Sequence, residues 1–200
     1  MSTPADFTKT AIIFCDYENG ILSMASEQER LGAFLEKSAT FRKAIHAVPL
    51  ERRPFVINVK VAFRPGHPEI AADSSRAYVK NANMFVEGTP SADFHPEFTP
   101  LENEPVVVKR GSSAFYNTDL ELLLRANKIQ KVILLGISTS NAILSTVLQA
   151  CEREYGVTVV SDCVYDPKPE IHAFLLECRF TRRIDVIDSA TIIESLQNLA

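Results

Sequence analysis

Two charged residues in this chain end runs of apolar residues, which is how charge is delivered to the rim of a buried sheet. Asp16 follows Ala11-Ile12-Ile13-Phe14-Cys15, and Lys109 follows Pro105-Val106-Val107-Val108. A third run, Lys131-Val132-Ile133-Leu134-Leu135-Gly136, opens into Ile137-Ser138-Thr139-Ser140-Asn141-Ala142. In open parallel sheets, ligands bind just beyond the carboxyl ends of the strands. A carboxylate and an ammonium meeting there can relay a proton, each tuning the other's pKa. The plainer alternative is a structural ion pair, because a buried ammonium is costly unless paired. Asp16 could also cap a turn through the polar residues Tyr17, Glu18, Asn19 and Gly20.

The third segment offers hydroxyls, an amide and an alanine, but no thiol. A strand that opens straight into a helix presents backbone N–H groups, which suit carboxylates or developing oxyanions. The hydroxyls of Ser138, Thr139 and Ser140 have a simpler use as helix caps. None has a base within sequence reach, which argues against a serine nucleophile.

These residues need elements to position them. Strand-like and helix-like runs alternate along the chain, the pattern of an α/β fold with a parallel sheet. Strands are predicted at 11–15, 55–61, 106–109, 132–136, 158–161 and 185–187. The expected architecture is therefore one domain over 1–200: a three-layer, doubly wound, Rossmann-like fold with about six parallel strands. Ser26 with Glu29 and Thr118 with Glu121 have capping-box spacing, opening a long helix with Leu31, Phe34, Leu35, Phe41, Ile45 and Val48 on one face and a second helix over 119–126. A helix over about 139–155 follows the third apolar run. Pro169 suits a first helical turn, with Ile171, Phe174, Leu175 and Cys178 as the buried stripe behind it. A last helix spans 190 to about 199. From Pro65 to Glu104 neither period is clear. Connections this long are usually functional; the bland alternative is a surface excursion with one short helix near 72–79.

Composition narrows the function classes. The chain has 200 residues, 46% hydrophobic and 23% charged, and a net charge of −4. That length can bury a good core, and the charge gives no reason to expect nucleic acid or an acidic membrane as partner. No apolar run is long enough to span a bilayer. Met1 to Lys9 lacks the pattern of a secretory leader, and Gln197-Asn198-Leu199-Ala200 matches no common address tag. Cys15, Cys151, Cys163 and Cys178 are too widely spaced for a zinc knuckle. They read as buried, reduced thiols, with a cytoplasmic location as the default.

Five pieces of the sequence together resemble the isochorismatase-like hydrolase family, also called the cysteine hydrolases. They are Phe14-Cys15-Asp16-Tyr17-Glu18-Asn19-Gly20-Ile21; Val61-Ala62-Phe63-Arg64-Pro65-Gly66-His67-Pro68-Glu69; Val107-Val108-Lys109-Arg110 with Ser113-Ala114-Phe115 and Thr118-Asp119-Leu120; Gly136-Ile137-Ser138-Thr139-Ser140; and Val159-Val160-Ser161-Asp162. They come in family order and span most of the chain.

The family's usual triad is Asp, Lys and Cys. The resemblance assigns the first two to Asp16 and Lys109 and puts Ala142 where the cysteine belongs. Amidase members attack a carbonyl with that cysteine, and alanine offers no nucleophile. True isochorismatases also have a small residue there and cleave a vinyl ether, with proton donation from the aspartate followed by water attack. Glu18 is a second departure, since the family more often has Gln. The resemblance further implies a cis Ile137–Ser138 peptide and an oxyanion pair from the N–H groups of Ser138 and Ala142.

It also implies that Asp16, Lys109 and Ala142 converge in one pocket that includes Glu18 and Thr139. Tyr17 and Phe115 should shield the pair, and Arg64, His67 and Phe115 should stand near the mouth, the alternative for Arg64 and His67 being a solvent-exposed loop pair. Arg64 could hold a substrate carboxylate bidentately. Nicotinamidase-like members bind a metal through an Asp and two His after the second strand. Here only His67 and His95 lie in that region, far apart, so no metal and no cofactor are expected. His172 reads as a surface helical residue.

The expected function is a hydrolase acting on a small, carboxylated metabolite by acid–base chemistry at Asp16, in a dimer or tetramer. The competing reading is a catalytically silent member that binds a metabolite or a protein partner. An amide hydrolase using water or another nucleophile is the third.

Overall fold

A computed structural model of the protein describes residues 7–198. The expectations that rest on Met1 to Asp6, and Leu199 at the end of the last helix, lie outside those residues. Six strands form one parallel sheet: β1 (Thr10–Cys15), β2 (Phe55–Val61), β3 (Val106–Lys109), β4 (Lys131–Ile137), β5 (Gly156–Tyr165) and β6 (Asp185–Ile187). Their spatial order is β3-β2-β1-β4-β5-β6. This is the doubly wound order, and the chain reverses its direction of winding between β1 and β4.

The helices are α1 (Asn19–Leu22), α2 (Gln28–Ala47), α3 (Ala77–Asn81), α4 (Leu120–Ala126), α5 (Leu144–Glu152), α6 (Pro169–Phe174) and α7 (Ser189–Gln197). All six residues of β1 are buried, as expected of a strand covered on both faces. Successive side chains of a strand point to opposite faces, so β1 divides its residues between two cores. Ile12 and Phe14 pack with Leu31, Phe34, Phe41 and Ile45 of α2 and Ile192 and Leu196 of α7. Ala11, Ile13 and Cys15 pack with Leu120 and Leu124 of α4 and Val147 and Ala150 of α5.

Four local expectations need correction. The long helix starts at Gln28, and neither Ser26 nor Glu29 closes a capping box; Glu27, at the cap, pairs instead with Arg30 at 3.1 Å. Thr118 accepts from the Leu120 N–H at 3.3 Å, but Glu121 turns to Arg125 and Arg153 rather than back to the cap. The segment after β4 begins with a π-helical turn over Thr139–Ile143 before α5. Behind Pro169, only Leu175 of the expected stripe is buried: Phe174 is 60% exposed and Cys178 is exposed. There α6 gives way to a second π-helical turn over Leu175–Arg179, and a wider turn shifts the phase of an apolar stripe.

The stretch from 65 to 104 is wrapped rather than structureless. It contains α3 and two 3-10 turns, at Pro90–Ala92 and Pro96–Phe98. It has an apolar cluster of its own, in which Ile70, Val79 and Phe85 pack with Val61 and Phe63. Arg110 ties it down through Glu69 at 3.2 Å and Glu87 at 2.5 Å, and Arg76 donates to the Arg110 carbonyl.

Candidate active site

Asp16 leaves β1 with φ at +63°. A non-glycine residue in this left-handed region is strained and persists only where its surroundings hold it. Two contacts do so. Its N–H donates to the Val59 carbonyl of β2 at 2.9 Å, and its Oδ2 lies 2.8 Å from Lys109 Nζ. Both residues are 3% exposed. β3 is not next to β1, so the lysine stem spans the end of β2 to reach the carboxylate. Nζ also donates to the Gly111 carbonyl at 3.1 Å.

Glu18 joins them. It is fully buried, and its Oε1 accepts the Val61 N–H at 2.6 Å. Burial pushes its carboxyl well above the usual range, the charge of Asp16 pushes it further, and Lys109 only partly opposes them. Burial also raises Asp16, against the pull of Lys109. The cluster can therefore hold a proton against a fixed ammonium.

The other side of the switch point is the end of β4. Gly136 sits at φ +129°, and a Cβ there would lie 1.9 Å from the Cys15 carbonyl oxygen. Only glycine lets β4 approach β1 this closely. The register between β4 and β5 shifts at the same place, and the Ile137–Ser138 peptide is cis. In the π-helical turn, the Ser140 N–H donates to Asp166 Oδ2 at 2.7 Å and the Asn141 N–H to the Ser138 carbonyl at 3.2 Å.

Between these ends lies a cleft of about 170 Å³, lined by Asp16 and Ser138. Its walls are Ile21, Met24, Ala25, Tyr78, Phe85, Ile137, Tyr165 and Pro167, with Asn141 as the remaining polar residue. A small organic molecule with an apolar body suits such a site.

The other candidate residues are placed as follows. Ala142 is buried in the π-helical turn and does not line the cleft. Thr139 is also buried, with its Oγ1 2.9 Å from His172 Nδ1. Tyr17 faces the α2 core, stacked between Phe34 and Phe98, and its hydroxyl donates to Ser38 at 2.8 Å. Phe115 packs on Tyr155, with the Arg153 guanidinium over its ring. His67 is 1% exposed, with Nε2 2.7 Å from the Met84 carbonyl. It organises the connection rather than standing open at a mouth. Arg64 points to solvent with its side chain 62% exposed and pairs with Glu69 at 2.6 Å. The structure thus gathers Asp16, Lys109 and Glu18, adds Ser138 across the cleft, and leaves Tyr17, Phe115, His67 and Arg64 outside its lining.

Three residues escaped the sequence reading. Tyr165 and Asp166 were missed because Ser161 and Asp162 interrupt the apolar pattern, although β5 runs on to Tyr165. The usable signal was Tyr165-Asp166-Pro167, a second carboxylate at a strand end. His172 is half-buried rather than a surface residue. Burial and the nearby Arg30 lower its pKa, with Asp166 opposing, so its ring is neutral at neutral pH. Among the described residues, no three of His, Cys, Asp and Glu are grouped to hold a metal ion.

Comparison with known proteins places this geometry. The isochorismatase domain model matches residues 10–191. A maleamate amidohydrolase from Pseudomonas putida is 27% identical over 197 residues, covering 96% of this chain and 89% of that protein. A probable inactive nicotinamidase from Arabidopsis thaliana is 36% identical over 72 residues, covering 36% of this chain and 37% of that protein. The structure of an isochorismatase family protein from Burkholderia thailandensis superposes with a TM-score of 0.80 at 26% identity, covering 98% of this chain and all of that one.

Proposed function

The chain belongs to the isochorismatase family, and from that premise we propose that it is a hydrolase working by acid–base chemistry at Asp16, with Ala142 in the place of the family's cysteine nucleophile. The observation that carries this reading is the 2.8 Å contact between Asp16 and Lys109 at the switch point of the sheet, beside a small apolar cleft. Once it has taken up a proton, the Asp16 carboxyl can give it to an electron-rich carbon, as in an enol ether. Water then adds to the cation so formed, and the C–O bond breaks to release a carbonyl compound and an alcohol. Lys109 fixes the carboxyl and balances the anion that proton donation leaves. The N–H groups of Ser138 and Ala142 are proposed to steady the departing oxygen as the C–O bond of the hydrated adduct breaks.

The proposed substrate is a small molecule with an apolar body. Among the described residues no cationic side chain lines the cleft, so a substrate carboxylate would be met by Asn141 and Ser138. Purified protein should be screened against enol ethers, including isochorismate, and a panel of small amides. Asp16→Asn should lower kcat/KM by at least about 100-fold, the scale of a lost general acid. Ala142→Gly should leave it unchanged, because that position only has to be small. A genuine hydrolysis that survives Asp16→Asn sinks the reading. The Arabidopsis relative named as inactive supports a second reading, a silent metabolite-binding member. Tight binding of one panel member without turnover would favour it.

A further inference from the structure

Two carboxylates and one ammonium are sealed together at the ends of β1, β2 and β3. Asp16 is 3% exposed, Glu18 is fully buried and Lys109 is 3% exposed. Ionised together they would leave an uncompensated negative charge in the interior, a costly state that a protein avoids by protonating one group. The hydrogen bonding shows the same deficit. Lys109 Nζ serves Asp16 Oδ2 and the Gly111 carbonyl. Glu18 Oε1 is served by the Val61 N–H. Asp16 Oδ1 and Glu18 Oε2 are buried with no hydrogen-bond partner among the described residues. Two acceptor-only oxygens are stranded, and one proton would turn one of them into a donor.

We propose that Glu18 is the proton-bearing member of this cluster: a positioning residue that stands neutral beside the Asp16–Lys109 pair at rest and passes its proton to Asp16 during turnover. The transfer breaks the O–H bond on Glu18 and forms one on Asp16, with no other reactant. Ionisation of Asp16 favours the proton on Glu18, because Asp16 has the ammonium at 2.8 Å, whereas the Val61 N–H that reaches Glu18 at 2.6 Å is neutral. Among the described residues, the Cys15 thiol is a further titratable group near Glu18, and burial keeps it protonated. The proposal rests on the acid role given to Asp16, but its first test requires no substrate.

Infrared difference spectroscopy at neutral pH should show the C=O stretch of a protonated carboxylic acid, shifted in D2O. The band should move with 13C-carboxyl-labelled glutamate, stay in place with labelled aspartate, and be absent from Glu18→Gln. A band that moves with labelled aspartate, or no band at all, overturns the proposal. A second measurement uses stability. A carboxyl whose folded pKa is raised costs stability as pH climbs from its ordinary value of 4.5 toward the folded one. Gln keeps the acceptor for Val61 and never ionises. Glu18→Gln should therefore melt increasingly above wild type as pH rises past about 4.5, with the gain absent at lower pH. A difference that does not change with pH overturns the proposal. On any substrate whose hydrolysis depends on Asp16, Glu18→Gln should lower kcat at least tenfold with KM unchanged; an unchanged kcat removes the proton transfer. Failure of hydrolysis altogether would instead count against the Asp16 reading, since the infrared band does not depend on it.

Discussion

At the scale of the residue, the ion pair and its third partner dominate. Lys109→Met removes the ammonium that pairs with Asp16 and leaves a buried carboxylate unpaired, a change worth about 3–5 kcal/mol. Chemical denaturation should show a loss of that size. The double variant Asp16→Asn/Lys109→Met should recover much of it, because both charges are then gone. Asp16 and Lys109 were legible as residues that end apolar runs, and their meeting followed from the parallel sheet. What the sequence could not show was direction. Tyr17 lies next to Asp16, yet a strand end throws neighbours to opposite faces, and the tyrosine went to the α2 core. Arg64 was expected to hold a carboxylate, but Glu69, five residues on, takes its guanidinium. The cysteines were misjudged in part: Cys178 is exposed, whereas burial pushes the Cys163 thiol up to about 12. A test of position 142 by alkylation must therefore use Ala142→Cys in a Cys178→Ser background. If Ala142 occupies the nucleophile's place, labelling by iodoacetamide should exceed that of the Cys178→Ser parent, and it should fall when Lys109→Met removes the positive charge that lowers a thiol pKa.

At the scale of the element, strands were more legible than helix ends. A strand buried on both faces is written as a nearly unbroken apolar run, as β1 and β4 are, and β2 and β3 also fall at the predicted bounds. Helix starts depended on capping motifs whose side chains found other partners, as Glu121 did with Arg125 and Arg153. The π-helical turns after β4 and α6 have no sequence signature that a period of 3.6 can reveal. One inter-element tie was also hidden. Glu104, at the end of the long connection, meets Arg42 at 3.2 Å and His46 at 2.7 Å on α2, with Asn58 of β2 at 3.3 Å. Burial would raise its carboxyl, but the bonds from His46 and the Leu101 N–H and the charge of Arg42 together hold it below the usual range. The stability it contributes is present above the ordinary value of 4.5 and is lost as pH falls through the lower folded one. Glu104→Gln should therefore destabilise at neutral pH by about 3–5 kcal/mol, the cost of leaving Arg42 buried and unpaired. The gap should shrink as the wild type is acidified, and melting curves at pH 7 and in acid would show it.

At the scale of the whole molecule, the sheet order makes β1 and β4 the centre and β3 and β6 the edges. Local opening is easiest where few apolar contacts must be broken. Hydrogen exchange should therefore be slowest at amides in β1 and β4 and faster in the three residues of β6, none of which is fully buried. Equal protection across all six strands would contradict this picture of the core. The doubly wound class was readable because alternating runs leave few other topologies. The long connection was not, because its order comes from a private apolar cluster, the arginine ties and the bridge from Glu18 to Phe94 rather than from any repeat. That division has a consequence for redesign. The ionisable groups hang from strand ends, whereas the connection supplies the cleft walls Tyr78 and Phe85. Part of the cleft wall and the Asp16–Lys109 pair thus come from separate stretches of chain. A graft replacing only the connection, with the Phe94 bridge and Glu104 retained, would reshape one wall of the cleft and leave the Asp16–Lys109 pair in place, a short evolutionary path from one occupant to another.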